Sequence, residues 1–258
     1  GTLHHGYYDD INWGADYYSG HLILESPGHR RITDLEPVVG VVNEAENRIV
    51  NSVAGGADTA TGFCSKSTTL YYDQINDAIR IQATIPLPCG NLLKCLCVQG
   101  AGENPYVGLE YQLDWSKSLI GSLRLGFITL NPDAFSDADL FYETHNGGDT
   151  LEYFPITQSI NHGDAVSFLV SAKQAIGATT GVVKIGDKNK HICVSVDKTK
   201  SALPGMIQYQ KIGNSYICRL CWSAKEMDET TKSVAEAKNP LRCVLQLSVL
   251  PANKAGLK

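Results

Sequence analysis

An all-β fold, one large antiparallel β-sandwich, is predicted for this 258-residue chain by three observations. Apolar and polar residues alternate with a period of two in run after run. Turn-forming residues separate the runs. Helical periodicity is thin, and no strand–helix–strand rhythm suggests a parallel sheet.

Taken in order, the first twenty residues are set apart by His4, His5, Tyr7, Tyr8, Trp13, Tyr17 and Tyr18, an aromatic and polar set that reads as an arm packed across the sandwich. The domain expectation is therefore a single unit over 1–258, with 1–20 as its N-terminal arm. Asp73-Gln74-Ile75-Asn76-Asp77 reads as the turn of a hairpin. After it, Ile79, Ile81, Ala83, Ile85 and Leu87 fall on one face of a strand over Ala78–Leu87, opposite Arg80, Gln82 and Thr84. In Tyr106–Trp115 the set Val107, Leu109, Tyr111, Leu113 and Trp115 alternates with Gly108, Glu110, Gln112 and Asp114. Trp115 belongs to the core by that parity. Further strands are read at Leu123–Leu130, Ala165–Val170, His191–Val196 and Cys243–Leu250. Lys211-Ile212-Gly213-Asn214-Ser215 joins Met206–Gln210 to Tyr216–Trp222. Two short helices are expected, Ser136–Leu140 and Met227–Lys238, the latter with Asp228 as its cap. The total of about twelve to fifteen strands exceeds what an immunoglobulin-type sandwich needs.

Composition narrows function. Hydrophobic residues make up 43% and charged residues 19%, which excludes a disordered charged tail. A formal charge of −5 argues against nucleic acid as a partner. No apolar stretch reaches the ~20 residues that span a bilayer, so no membrane partner is expected. The start, Gly-Thr-Leu-His-His, has neither the charged nor the apolar region of a signal peptide. It also lacks Met, which fits a piece of a longer chain and equally a stand-alone relative. Eight cysteines in apolar surroundings are expected to be reduced, buried and structural, in a cytoplasmic protein without metal or cofactor.

The motifs of common chemistries are weak here. Cys218-Arg219-Leu220-Cys221 lies in a strand pattern, where positions three apart face opposite sides. Cys95 and Cys97 share a face, but two ligands do not make a zinc site. Gly100-Ala101-Gly102-Glu103-Asn104-Pro105 leads into a strand rather than a helix, so it is a connecting loop and not a phosphate cradle. Neither Gly-x-Ser-x-Gly nor His-Glu-x-x-His occurs.

One stretch, Phe141 to Phe154, gathers Glu143, His145, Asn146, Glu152 and the aromatics Phe141, Tyr142, Tyr153 and Phe154 around an Asn146-Gly147-Gly148 turn. Planar polar groups hydrogen-bond sugar hydroxyls, and aromatic faces stack on the C–H surface of a sugar ring. Trp13 and Tyr106 lie beside loop signals and are free to supply the ring. The candidate ligand-binding set is Trp13, Tyr106, Glu143, His145, Asn146 and Glu152, with His162 and Asp164 as neighbours. The plainer reading is a hairpin whose glycines supply positive φ and whose polar residues face water.

Ser122-Leu123-Arg124-Leu125-Gly126, Leu130-Asn131-Pro132-Asp133-Ala134-Phe135, the His145-Asn146-Gly147-Gly148 turn, Leu169-Val170-Ser171 and Ile176-Gly177-Ala178-Thr179-Thr180-Gly181 together carry a family likeness over about half the chain. They resemble the C-terminal β-sandwich region of glycoside hydrolase family 57 and related α-glucan-processing enzymes. The resemblance implies a supersandwich of the galactose mutarotase kind, and an α-glucan or other carbohydrate as partner. It also implies an upstream catalytic domain in the same polypeptide. That family's paired catalytic carboxylates belong to an upstream barrel, and nothing in this sequence matches it.

Three functions follow. The first is a non-catalytic accessory domain of a glycosidase or glucanotransferase-type protein that contacts glycan. The second is a stand-alone, mutarotase-like enzyme that pairs His145 or His162 with Glu143 or Glu152 for proton transfer at an anomeric centre. The third is an interaction scaffold with no ligand. Whether the chain is an enzyme stays open at this stage.

Overall fold

The computed structural model describes residues 10–11, 19–26, 30–33, 67–87, 90–100, 106–116, 121–156, 174–226 and 240–251. Fifteen strands run through them, beginning with β1 (Leu22–Ser26), β2 (Arg30–Thr33), β3 (Ser67–Asp73), β4 (Ala78–Leu87) and β5 (Gly90–Gln99). Next come β6 (Tyr106–Trp115), β7 (Ser122–Thr129), β8 (Phe141–Thr144), β9 (Glu152–Pro155) and β10 (Gln174–Ile176). The last are β11 (Val182–Gly186), β12 (His191–Val196), β13 (Gly205–Ile212), β14 (Ser215–Lys225) and β15 (Leu241–Pro251).

They form two sheets, one of nine strands in the order β3-β4-β5-β6-β15-β12-β11-β8-β9 and one of six in the order β10-β13-β14-β7-β1-β2. Every described pairing is antiparallel. The all-β, two-sheet expectation therefore holds. One apolar cluster joins the sheets: Leu92, Tyr111, Leu113, Trp115 and Leu245 from the larger meet Leu22, Leu125, Leu220 and Trp222 from the smaller. Each such aliphatic side chain contributes about 1.5–3 kcal/mol by leaving water. The buried indole of Trp115 is satisfied, its Nε1 donating to Asn91 O at 2.9 Å.

β7 departs from alternation because both its faces are covered. Leu123, Leu125 and Ile128 enter the inter-sheet cluster, while Phe127 packs with Ile23, Met206 and Cys221 on the other side. There the Arg219 guanidinium lies 4.1 Å from the Phe127 ring centroid, and Arg124 donates to both carboxylate oxygens of Glu226 at 2.7 and 2.8 Å. Cys218 and Cys221 go to opposite faces of β14, as their spacing requires.

Three expectations change on inspection. Ile79 and Ile81 of β4 are 51% and 37% exposed, because six strands do not underlie all nine and the apolar face runs past the margin of the core. The Ser136–Leu140 helix is only a 3-10 turn over Asp137–Asp139. Leu123–Leu130 is buried on both sides rather than half-buried. The expected helix at 227–238, the strand at 165–170 and most of the arm at 1–20 lie outside the described residues. Two described pieces of the arm do reach the sandwich. Ile11 bridges Leu130, and Gly20 N donates to Phe127 O at 2.6 Å. No helix among the described residues is long and apolar enough to cross a membrane.

Two predictions follow from the core. Between Leu220 and Trp222 of β14, β7 advances three residues from Ile128 to Leu125, so one residue of β7 is extra. Gly126 absorbs it at φ 67°, and a Cβ there would lie 2.6 and 2.8 Å from the Cδ2 atoms of Leu245 and Leu247. Gly126→Ala should therefore destabilise the protein by roughly 2–4 kcal/mol through strain plus overpacking, read as a fall in urea midpoint at unchanged slope. The six described cysteines are free and buried. Burial pushes the thiol of Cys218 up to about 12 and that of Cys243 to about 11. A thiol reagent at pH 8 should react with those two only after denaturation, when all eight cysteines become available.

Candidate functional site

The outward face of the nine-stranded sheet carries a transverse row of small side chains. Reading across strands by register, Arg80 of β4 opposes Cys97, Cys97 opposes Gly108, Gly108 opposes Ser248, and Ser248 opposes Ser195. The inward neighbours Val107, Leu109, Leu247, Val249, Val194 and Val196 all sit in the core, so the pleat puts this row on the opposite, outer face of the sheet. One step along the strands, longer groups rise beside it: Cys95, Glu110 and Gln246 are successive register partners, and Asp197 N donates to Gln246 O at 2.9 Å. Tyr106 closes the other side. Short residues flanked by long ones leave a trough of about 260 Å³. That is just under the ~300–1,000 Å³ of drug-sized pockets and suits a ligand the size of one sugar ring.

The walls are fixed from outside the trough. Arg80 Nε donates to Asp73 Oδ2 at 2.8 Å, and Asp73 is itself held by Asn76 Nδ2 at 2.8 Å and by Ile75 N at 3.1 Å in the β3–β4 turn. Those bonds, the Asn76 side chain first, keep the Asp73 carboxyl below its ordinary range. Partial burial of Arg80 works against its charge, but Asp73 and the two neighbouring thiols outweigh it and raise its proton affinity. The phenol of Tyr106 meets Cys97 Sγ at 3.4 Å, and that contact, with burial, pushes Tyr106 up to about 12. Burial raises the Cys95 thiol. Asp197 is held ionised by the Thr199 hydroxyl and backbone N–H, at 2.5 and 2.9 Å. At pH 7 these shifts keep Asp73, Arg80 and Asp197 charged, and Tyr106 and Cys95 uncharged.

The structure separates the expected site residues. Tyr106 lines the trough on β6, whereas Glu143 is on β8, four strand steps away, or about 19 Å. Glu143 faces outward beside Lys184, whose Nζ lies 3.3 Å from its carboxylate. His145 and Asn146 brace two turns against each other. His145 Nδ1 is 2.9 Å from Thr180 Oγ1, and Asn146 Oδ1 accepts from Gly177 N at 3.0 Å. Gly147 N adds a bond to Thr179 Oγ1 at 2.8 Å. Glu152 is exposed at the start of β9, paired in register with Thr144. Trp13, His162 and Asp164 lie outside the described residues.

Sequence reasoning missed Arg80, Glu110, Ser195, Asp197, Gln246 and Ser248, and also Lys184 and His191 beside Glu143, while Tyr153 lay in the Phe141–Phe154 stretch without being named for the site. Their only signal was the polar half of each alternating strand. His191 rests edge-on against Phe141, with centroids 6.2 Å apart. Burial first, and then Lys184, lower its affinity for a proton, with Glu143 opposing. Among the described residues no group of three or more His, Cys, Asp or Glu side chains converges to hold a metal.

Replacing Cys97 by Ala removes the contact that most raises Tyr106. The phenol of that variant should titrate closer to the ordinary tyrosine value of about 10 than to 12. An ultraviolet pH titration near the phenolate band checks this, with the wild type as reference and Tyr106→Phe to assign the band.

No family model matches the chain, and no curated protein matches it. Among solved structures, the galactose mutarotase related enzyme of Lactobacillus acidophilus is similar at 10% identity and a TM-score of 0.41, over 76% of this chain and 75% of that one. A likeness of that grade lends no weight to function. The two-sheet architecture rests on the strands and their pairings, and the glycoside hydrolase family 57 resemblance remains an expectation from sequence.

Proposed function

We propose that the chain is a non-catalytic carbohydrate-binding β-sandwich, of the kind that accompanies a glycosidase or glucanotransferase-type protein, and that it takes a sugar ring in the outer-face trough. The observation that carries this is the row Cys97, Gly108, Ser248 and Ser195, a low floor walled by Arg80, Tyr106, Glu110, Gln246 and Asp197. A polyhydroxylated ligand needs many donors and acceptors converging on a small volume, and these walls supply both. Support for binding over turnover comes from Tyr106, Cys95 and Asp197, whose shifts each take them further from titrating near pH 7.

Affinity should be weak, in the millimolar range, since the trough is open and each neutral hydrogen bond adds only about 0.5–1.5 kcal/mol. Titration with glucose and maltooligosaccharides, followed by chemical-shift or tryptophan fluorescence change, tests the reading. Gly108 is not held at a positive φ, and a Cβ there would meet Tyr106 Cε2 at 3.2 Å and Cys97 Cβ at 3.3 Å. Gly108→Val therefore fills the floor, and it should reduce binding at least tenfold. Glu110→Gln keeps the shape, removes one acceptor charge and should weaken binding less. Absence of any response at millimolar ligand, or binding by Gly108→Val equal to that of wild type, sinks the proposal. Ligand-dependent anomer interconversion above the uncatalysed rate would replace it with the enzyme reading.

A further inference from the structure

A second contact for the same ligand lies at the far edge of the sheet. Tyr153 of β9 is 58% exposed, yet its ring is not loose: it stacks on Phe141 with centroids 5.0 Å apart and planes 24° apart. Phe141 is in turn wedged by His191. That wedge is possible because Gly186, which stands between His191 and Phe141 in register, has no side chain. An exposed aromatic face held flat by a buried ring is a preformed stacking surface, so a ligand that covers it loses little conformational freedom of the protein. Beside it, Glu143 is the register partner of Tyr153 and is ion-paired to Lys184, which places an acceptor and a donor next to the ring.

The positions of this ring and of the trough are linked by register. Val107 pairs with Val249, which puts Leu250 beside Tyr106. From there the partners run Leu250, Cys193, Lys184, Glu143 and Tyr153. Tyr106 and Tyr153 are thus on one transverse row of one face, five strand steps or about 24 Å apart. Among the described residues, the side chains between them are Leu250, the fully buried Cys193 and the polar pair Lys184 and Glu143.

We propose that the ligand is a linear oligosaccharide lying across the strands, with one ring in the Tyr106 trough and a later ring stacked on Tyr153. This rests on the trough reading above. Affinity should then rise with chain length until the ligand spans both rings. Stacking on one aromatic face corresponds to a gain of about two- to tenfold.

The test is isothermal titration of the full chain with two length series, maltose to maltoheptaose and cellobiose to cellohexaose, for wild type, Tyr153→Ala and Tyr153→Phe. The expected result is a dissociation constant two- to tenfold lower for the longest members than for the disaccharide in one series. Tyr153→Ala should lose that gain while its disaccharide affinity stays unchanged, and Tyr153→Phe should keep it. The series that responds identifies the linkage. Disaccharide binding that depends on Gly108 but shows no length dependence overturns the extended-ligand proposal and leaves the trough reading standing. A length gain that survives in Tyr153→Ala also overturns it. No binding by any member of either series fails both.

Discussion

Register across the nine-stranded sheet governs what either of its faces can be. Side chains alternate with a period of two, so a one-residue slip between β6 and β15 would turn one of the two strands over, sending Val107, Leu109, Tyr111 and Leu113 of β6, or Cys243, Leu245, Leu247 and Val249 of β15, out to water. At about 1.5–3 kcal/mol for each apolar side chain, the penalty for a slip at this one pairing is comparable to the whole stability of an ordinary domain. The trough has no such forces of its own. Its serines, glycine and glutamine do little for one another, and they line up only because the leucines and valines behind them do. The geometry of the candidate site is inherited from the core.

The charged walls depend on the ends of strands instead. Arg80 is aimed by Asp73, which is set by the turn leading from β3 into β4, and Asp197 is set by its own turn through Thr199. Surface ion pairs of this kind add little to stability. Their effect is positional: each carboxylate is tied to backbone within a few residues, so the charge it presents or pairs has one place to be. Charges anchored in this way suit recognition of a neutral polar ligand, where orientation decides more than net attraction.

Much of the fold was legible in the chain. Ala78–Leu87 and Tyr106–Trp115 alternate plainly, and both are strands with the limits expected of them. The Lys211–Ser215 turn joins β13 to β14 as its Gly-Asn pair suggests. β7 was legible as a strand but not as a doubly buried one, since Arg124 reads as a solvent position until Glu226 is seen to receive it. The candidate site was far less legible. Arg80, Gly108, Ser195 and Ser248 come from strands as many as 168 positions apart, and no local pattern announces which of them meet. His145 and Asn146 misdirect for the opposite reason. They stand together in sequence with the chemistry of a binding loop, but part of that chemistry is directed to the Gly177–Thr180 turn.

The glycines show which features of the trough the fold requires and which it does not. Gly126 has a backbone reason to be glycine, a bulge at positive φ with core side chains against it. Gly108 has none of that kind: it lies inside a paired strand without a positive φ, where glycine costs about 0.5–1 kcal/mol relative to alanine. What its missing side chain permits is the descent of the Tyr106 ring toward Cys97 and an open floor as far as Ser248 and Ser195. A Cβ at this position would meet Cys97 Cβ at 3.3 Å as well as the Tyr106 ring at 3.2 Å, so both walls would have to give. The glycine at position 108 sets how closely Tyr106 and Cys97 approach, and with it the shape of the trough.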